Sequence, residues 1–77
     1  MTLEQQSAEA KSVRLLDLYA RFISGQTLNK QDLASEYGVT TRSIQRDMES
    51  LRCFLMEKGL SQEIIYDRRH GGYRMVS

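Results

Sequence analysis

The sequence contains a single cysteine, a single histidine, and no proline or tryptophan among its 77 residues. Cys53 alone cannot form an internal disulfide or a cysteine-based zinc site, and His70 has no second histidine or thiol to help it hold a metal. No apolar run approaches the roughly 18 residues that a membrane span needs, and there is no apolar signal region. We therefore expect a cytoplasmic domain without metal, cofactor or membrane partner.

Signals for catalysis are also weak. Gly71 and Gly72 do not indicate a phosphate-binding loop, because the required order of strand, glycine loop and helix is missing there. Cys53 has no histidine near it in sequence to activate a thiolate, and no pair of carboxylates is spaced to suggest a cleft. We therefore expect a binding domain rather than an enzyme.

Size and charge set further bounds. A chain of this length folds around one small core, and 40% hydrophobic with 27% charged residues is ordinary globular composition. The net charge is only +1, so bulk charge does not indicate a nucleic-acid binder. Residues 40–77 nevertheless hold seven basic and five acidic residues, and six of the seven are arginine, which makes forked contacts to phosphate and guanine.

Apolar spacing predicts a first helix from about Ala8 to Ser24, with Gly25 as its left-handed C-terminal residue. Residues 1–9 are polar and aperiodic, which suggests a loose N-terminal arm or a frayed first turn. The three-to-four spacing assigns the buried face to Val13, Leu16, Ala20 and Ile23, flanked by Leu15, Tyr19 and Phe22. Core packing explains this stripe far better than a ligand site does.

A second helix is predicted over residues 30–37. Asn29 precedes it as the N-cap, and Asp32 places a negative charge in its first turn, in the manner of a capping box. Its inward positions are Leu33, Ala34 and Tyr37. Just before the cap, residues 27–28 form a short extended bridge that can pair as a minimal strand with a distant segment.

The third helix follows after only about three residues, since Gly38 ends the second helix and Thr40 caps the third. So short a link with a glycine forces a steep crossing, as in a helix-turn-helix. The third helix extends to about Lys58, where Gly59 stops it. Its predicted buried residues are Ile44, Met48, Leu51 and Leu55, with Phe54 extending that face.

The opposite side of the third helix is polar and basic. It consists of Arg42, Ser43, Arg46 and Ser50, with Gln45 on its flank. These side chains carry donors suited to phosphates and base edges. An ordinary solvated face has the same composition, and for an isolated helix that interpretation is the stronger one. The neighbouring segments must decide.

The C-terminal segment predicts a β-hairpin. Residues 63–67 and 72–76 are two strand-like runs, and the glycines at 71 and 72 can supply the positive φ that a tight antiparallel turn requires. The tip carries Arg68, Arg69 and His70. Such a tip can serve solubility or contact DNA, and behind a helix-turn-helix it favours DNA. Three helices and a wing predict a mainly α winged helix-turn-helix with a small β-hairpin.

Residues 32–48 read DLASEYGVTTRSIQRDM, followed by Leu51 and a late run of Gly71, Gly72, Tyr73 and Arg74. This segment resembles the N-terminal DNA-binding domain of DeoR-type and WYL-domain bacterial transcriptional regulators. Their pattern, LA-x-x-[FY]-G-V-[ST]-x-R-[ST]-I-x-R-D-[ILM]-x-x-L, is followed by a GGY wing. The similarity covers roughly residues 12–76. It is fairly specific, because the turn, the Arg-Asp pair and the wing glycines occur together in the right order.

The resemblance implies sequence-specific binding of double-stranded DNA for transcriptional regulation. The third helix would enter the major groove, and the wing would touch the backbone or the minor groove. The implied contact residues are Thr40, Thr41, Arg42, Ser43, Gln45, Arg46, Arg68, Arg69 and His70. The two threonines would bond phosphates at the helix N-terminus, where the dipole favours an anion. Asp47 cannot bind phosphate, so the Arg-Asp pair implies a structural ion pair that orients an arginine or ties the third helix to a neighbouring element.

Such regulators usually carry a C-terminal effector or oligomerisation domain. The resemblance therefore implies that these residues are the N-terminal part of a longer regulator, homodimeric and with a further domain for an effector ligand. A stand-alone small regulator is the alternative. The rival function is a winged helix that serves as a protein-interaction or assembly module without DNA binding, which the low net charge keeps open.

Overall fold

The computed structural model describes the backbone of residues 3–77 and the side chains from Ala10 onward. Its elements, in chain order, are α1 (Leu3–Ile23), α2 (Lys30–Tyr37), α3 (Thr41–Glu57), β1 (Glu63–Asp67) and β2 (Gly72–Val76). The two strands form an antiparallel hairpin in which Glu63 lies opposite Val76 and Asp67 opposite Gly72. This is the winged helix-turn-helix predicted from the sequence. Within the described residues, no helix is both long and apolar enough to cross a bilayer.

The helix pair forms where the capping residues predict it. The Asn29 side chain accepts hydrogen bonds from the backbone N–H groups of Gln31 and Asp32, at 2.8 and 3.2 Å. Gly38 adopts a left-handed conformation at φ 69°, and Thr40 caps α3 by accepting from the Ser43 N–H at 3.1 Å. The predicted bounds of α2 are confirmed, and α3 ends at Glu57, one residue before the predicted end.

The core lies between α3 and the elements packed on it. Ile44, Met48, Leu51 and Leu55 are all buried, so the predicted inner face of α3 is confirmed. Leu33 and Ala34 join them from α2, whereas Tyr37 is only half-buried. Phe54 was predicted to extend the inner face, but it is 41% exposed. It lies at the rim because its position on the helix is rotated away from the core. At the rim its ring meets the Tyr19 ring edge-to-face, with 5.8 Å between the centroids.

The start of α1 differs from the prediction. The helix begins at Leu3, so residues 3–9 are helical rather than a loose arm. That segment lacks an apolar period, but it contains no glycine or proline and is rich in good helix formers such as Glu, Gln and Ala, so nothing in it stops the helix. Met1 and Thr2, the rest of the predicted arm, lie outside the described residues. The other end, at Ile23, is one residue short of the prediction.

The buried face of α1 was also assigned wrongly. The residues in the core are Leu18 and Phe22, with Leu15 and Tyr19 packed against it. Val13, Leu16 and Ile23 are instead 66%, 71% and 54% exposed, and Ala20 is exposed with them. At about 100° per residue the two sets lie on largely opposite sides of the helix. The helix therefore has two apolar faces, and spacing alone does not determine which of them packs.

The wing is joined to the rest of the fold through the segment before α2. The predicted minimal strand at residues 27–28 is confirmed as a single antiparallel bridge, in which Leu28 and Tyr73 exchange two backbone hydrogen bonds of 2.7 Å. Gly72 lies so close to this bridge that a Cβ would stand 2.7 Å from the Leu28 carbonyl oxygen. The positive φ of the turn comes from Gly71, at 69°. Gly72 is therefore required for space, not for the left-handed conformation expected of both glycines.

Candidate nucleic-acid interface

The outer face of α3 begins at a capped N-terminus. Thr40 uses its hydroxyl within the chain, accepting from the Ser43 N–H and donating to the Ser43 hydroxyl, each at 3.1 Å. Thr41 and Arg42 follow as exposed side chains, and Arg46 is exposed one turn later. An arginine pair at this i, i+4 spacing lies on one side of a helix. The two guanidinium groups can therefore engage one strip of a ligand surface.

Lys30 connects this helix to the wing. Its ammonium group donates to the Gln45 side-chain oxygen at 3.1 Å and lies 5.7 Å from the centroid of the Tyr73 ring, within the range of a cation–π contact. Lys30 belongs to α2, Gln45 to α3 and Tyr73 to β2. A shallow depression of about 260 Å³ lies at this junction, lined by Asn29, Lys30, Gln31, Thr41, Tyr66 and Tyr73. The N-terminal part of α3 and the base of the wing thus belong to one surface.

The wing tip is organised by Asp67. Its carboxylate accepts from the backbone N–H groups of Arg69 and His70, at 2.9 and 3.3 Å. It also lies 2.8 Å from the His70 Nδ1 and accepts from the Arg74 Nε at 2.6 Å. Two side-chain hydrogen bonds lower the pKa of Asp67 from 3.8 to about 2, with the larger contribution from His70 and the smaller from Arg74. The turn is therefore tied by one ionised side chain at the end of β1.

These contacts separate the basic residues of the tip into two kinds. Arg68 and Arg69 extend their side chains into solvent. The ring of His70 is exposed as well, but it is already paired with Asp67, as is the guanidinium of Arg74. The tip therefore offers two guanidinium groups and holds two other basic side chains in place.

The same division runs through all the arginines of the chain. Four have partners within it: Arg14 pairs with Asp47, Arg21 with Glu36 and the Tyr37 hydroxyl, Arg52 with the Ile64 carbonyl, and Arg74 with Asp67. For the other four, Arg42, Arg46, Arg68 and Arg69, the side chains described from residue 10 onward provide no ion pair and no hydrogen bond. These four are placed on the outer face of α3 and at the wing tip. They are the groups best placed to bind an anionic ligand.

Asp47 faces away from this surface. It is 1% exposed, and the Arg14 guanidinium donates to both of its carboxylate oxygens, with Nη2 to Oδ1 at 3.1 Å. The hydrogen bond to Asp47 is the main reason that the pKa of Arg14 is raised. Because Arg14 lies on α1, this forked ion pair ties α1 to α3 and fixes the rotation of the helix that carries Arg42 and Arg46.

Three residues of the surface were not identified from the sequence. Asp67 carried a usable signal, because an Asp that accepts from the N–H two residues later is a known turn former. Asn29 was identified only as a cap, although its amide also donates to the Gly71 carbonyl at 3.4 Å. Lys30 gave no local signal, since its partners Gln45 and Tyr73 are distant in sequence. Cys53 is exposed.

The sequence matches a protein family described as an HTH domain over residues 14–74. This range begins within α1 and ends within β2, so it includes the helix pair, the whole of β1 and the first three residues of β2. Comparisons with curated proteins and with solved structures give no match. Since the family match spans well over half of its length, the chain belongs to the helix-turn-helix domain family.

Proposed function

We propose that this domain binds double-stranded DNA with sequence preference and acts in transcriptional regulation, as do the DeoR-type and WYL-domain bacterial regulators that it resembles. The main support for this proposal is the separation of the arginines into those paired within the chain and those exposed on one surface. Arg42, Arg46, Arg68 and Arg69 are exposed on the helix and the wing of a helix-turn-helix domain, while the other four are engaged within the chain. A surface that serves only solubility has no need for this separation.

In this proposal α3 lies in the major groove. Arg42 and Arg46 contact guanine edges or phosphates, because a guanidinium group matches the geometry of both. Thr41, at the helix N-terminus, contacts a phosphate where the helix dipole favours an anion. Arg68 and Arg69 contact the backbone or the minor groove from the wing.

Lys30 and Thr40 have supporting parts in the proposed complex. Lys30 holds Gln45 against the N-terminus of α2, so the amide is oriented before DNA arrives. Its charge also lies close to the DNA backbone and adds to the electrostatic attraction. The hydroxyl of Thr40 remains the helix cap, and only its remaining acceptor capacity is open to an external donor.

A single domain presents one recognition helix and a small interface. We infer that useful affinity requires two copies, whose recognition helices reach half-sites about one DNA turn apart. In a longer regulator, the effector ligand would bind a different domain and change the placement of the two copies. The statement about the effector ligand follows from the resemblance to DeoR-type and WYL-domain regulators.

The direct test is selection of bound duplexes from a random pool, with the chain both free and artificially dimerised. We expect a short enriched motif from the free chain and an inverted repeat from the dimer. Affinity should fall with salt: the logarithm of the binding constant, plotted against the logarithm of the salt concentration, should have a slope of about −0.9 for each phosphate neutralised. No enrichment together with salt-insensitive association would instead support a protein-interaction module.

A substitution on α3 tests the groove contact. Arg46→Ala should weaken binding to the selected duplex by about 1–3 kcal/mol, because one guanidinium contact is lost. The melting temperature should stay unchanged, since the side chain is exposed. Lys58→Ala removes an exposed charge at the C-cap of α3, about 18 Å from Arg46 along the helix axis, and serves as the matched control. If the R46A variant bound as tightly as this control, the groove assignment would be wrong.

A further inference from the structure

Four exposed apolar residues form a continuous line on α1. Val13, Leu16, Ala20 and Ile23 recur at intervals of three, four and three residues, which places them on one face of the helix. Three of them are 66%, 71% and 54% exposed, and Ala20 is exposed as well. Single apolar residues on a surface are ordinary, but a line at the helical period is typical of a face that packs against something. We call these four residues the α1 stripe.

We propose that the α1 stripe binds a second copy of this chain, with the two α1 helices packed antiparallel about a two-fold axis near residue 18. A two-fold contact uses the same patch on both partners, so the patch must be complementary to itself. The inference extends the proposed function by naming the surface that brings two recognition helices together. It can be measured without DNA.

The sizes of the four side chains favour the antiparallel arrangement. In that arrangement Val13 lies opposite Ile23 of the other copy, and Leu16 lies opposite Ala20. The longest side chain thus meets the shortest in two of the four layers, as good packing requires. In a parallel pair, Leu16 would meet Leu16 and Ala20 would meet Ala20, leaving one crowded layer beside one with a gap. The stripe is therefore complementary in shape to the stripe of a second copy whose α1 runs in the opposite direction.

The charges around the stripe also fit a second copy. At about 100° per residue, the residues of positions 12–24 that border it are Ser12, Asp17, Tyr19 and Ser24. Asp17 is the one formal charge among these four, and its carboxylate accepts from the Tyr37 hydroxyl and so is directed towards α2. A different partner helix would typically be selected by complementary charges at these border positions. A nearly neutral border creates little repulsion between two identical helices.

The size of the stripe sets the expected strength. A stable interface buries roughly 800 Å² on each partner, and four layers of a two-helix contact fall well short of that. Pairing in solution should therefore be weak. Two copies held on neighbouring half-sites gain from a high effective concentration, so the same contact should produce cooperative binding there.

Sedimentation equilibrium of the free chain, from about 10 μM to about 1 mM, tests the pairing. We expect the average mass to rise from the 8.9 kDa monomer towards a dimer. Leu16→Glu should weaken the association at least tenfold by placing a charge in the central layers. The matched control is Met56→Glu, because Met56 is 77% exposed on α3 and lies outside the stripe. A monomer at every concentration, or equal weakening by both variants, would overturn the proposal.

Disulfide trapping tests the orientation, in a chain whose own thiol is removed by Cys53→Ser. A mixture of the V13C and I23C variants should cross-link between the two variants. V13C alone should not, because two copies of that position would lie about 15 Å apart along the antiparallel helices. Efficient V13C self-linking would indicate parallel helices and refute this arrangement.

The two proposals can fail separately. L16E should bind a duplex with one half-site as tightly as the unmodified chain, and should lose only the cooperativity on a duplex with two. Unchanged cooperativity in L16E would overturn the role of the stripe while leaving DNA binding intact. Loss of binding to the single half-site in R46A but not L16E would support the DNA surface on α3 whatever the outcome for α1.

Discussion

The two long helices, α1 and α3, use their apolar residues differently. α3 has one apolar face, and Ile44, Met48, Leu51 and Leu55 on that face are all buried. α1 has two such faces, and the fold buries the one with Leu18 and Phe22 while the α1 stripe stays in solvent. An apolar period identifies the residues that share a face. It identifies the packed face only when the helix has no second candidate.

The choice of face on α1 is linked to a polar contact. Arg14 lies on the same side as Leu18, and its guanidinium group pairs with the buried Asp47 of α3. The partners are 33 residues apart, so no local pattern on α1 reveals them. Rotating α1 to bury the stripe would move Arg14 away and leave Asp47 charged and unpaired in the core, which is strongly unfavourable.

The largest expected effect comes from breaking that ion pair. Asp47→Ala should lower the free energy of unfolding by about 3–5 kcal/mol, because it leaves the mostly buried Arg14 guanidinium without its partner. Urea denaturation followed by circular dichroism measures the change. A loss below about 1 kcal/mol, the range of an exposed pair, would mean that the pair does not set the rotation of α1.

A double substitution separates the charge from the packing. In the combined Arg14→Met and Asp47→Leu variant both charges are replaced by apolar groups, and such replacements are often neutral for stability. We expect this chain to recover most of the stability lost in D47A. If it were as unstable as D47A, the shape of the two side chains rather than their pairing would be the important factor.

The next effect compares the two faces of α1 directly. Leu18→Ala should cost about 2–5 kcal/mol of unfolding free energy, since it opens a cavity at a fully buried site. Leu16→Ala changes an exposed position and should stay within about 0.5 kcal/mol at concentrations where the chain is monomeric. Measuring both by urea denaturation at low concentration tests the observed face. Equal losses would contradict it.

A smaller effect is expected at the junction between the wing and the segment before α2. Gly72→Ala should cost about 1–3 kcal/mol, because its Cβ would contact the Leu28 carbonyl, which is backbone and cannot rotate away. Gly71→Ala is the comparison, since that site is spatially open but has a positive φ, and should cost about 1 kcal/mol. Thermal unfolding of both variants is the measurement. A G72A chain as stable as G71A would argue against close packing at the bridge.

The local parts of the fold could be predicted because their causes are local. Asn29 and Thr40 cap the N-termini of α2 and α3, and Gly38 ends α2. The bounds of α2 follow from these residues, and the bounds of both strands follow from their strand-like runs and the turn glycines between them. The face of α1 could not be predicted, since Arg14 is paired with a residue 33 positions away. Lys30 was missed for the same reason: its contacts with Gln45 and Tyr73 exist only once three elements have come together.

The same rule applies to the proposed contact residues: features with local causes could be predicted, and those that depend on distant residues could not. Their positions on the exposed side of α3 and at the wing tip follow from helical period and turn chemistry. These signals do not show which of the side chains are already paired within the chain and which are free to bind a ligand. His70 and Arg68 look alike as basic residues in a turn, but Asp67 holds the His70 ring and leaves the Arg68 side chain in solvent. That distinction depends on the geometry of the hairpin.

The smallest effect concerns the wing tip, where the acidic residue is near solvent rather than buried like Asp47. The pKa of Asp67 is lowered from 3.8 to about 2 by the hydrogen bonds from His70 and Arg74. A lowered pKa means that the folded wing binds the proton less readily than the unfolded chain does. The stabilisation by Asp67 is therefore complete above about pH 4 and is lost as the pH falls towards 2.

The measurement is an NMR titration of the backbone amides of Arg69 and His70, both of which donate to Asp67. Their signals should move together with a midpoint near pH 2, the pKa of the Asp67 carboxyl in the folded protein, while the amides of α3 stay in place until global unfolding. Asp67→Asn keeps an acceptor for both amides but cannot ionise, so it should abolish the local titration. Identical shifts in the Asn variant would assign them to another group, and the tip would then owe its order to the turn glycine rather than to this carboxylate.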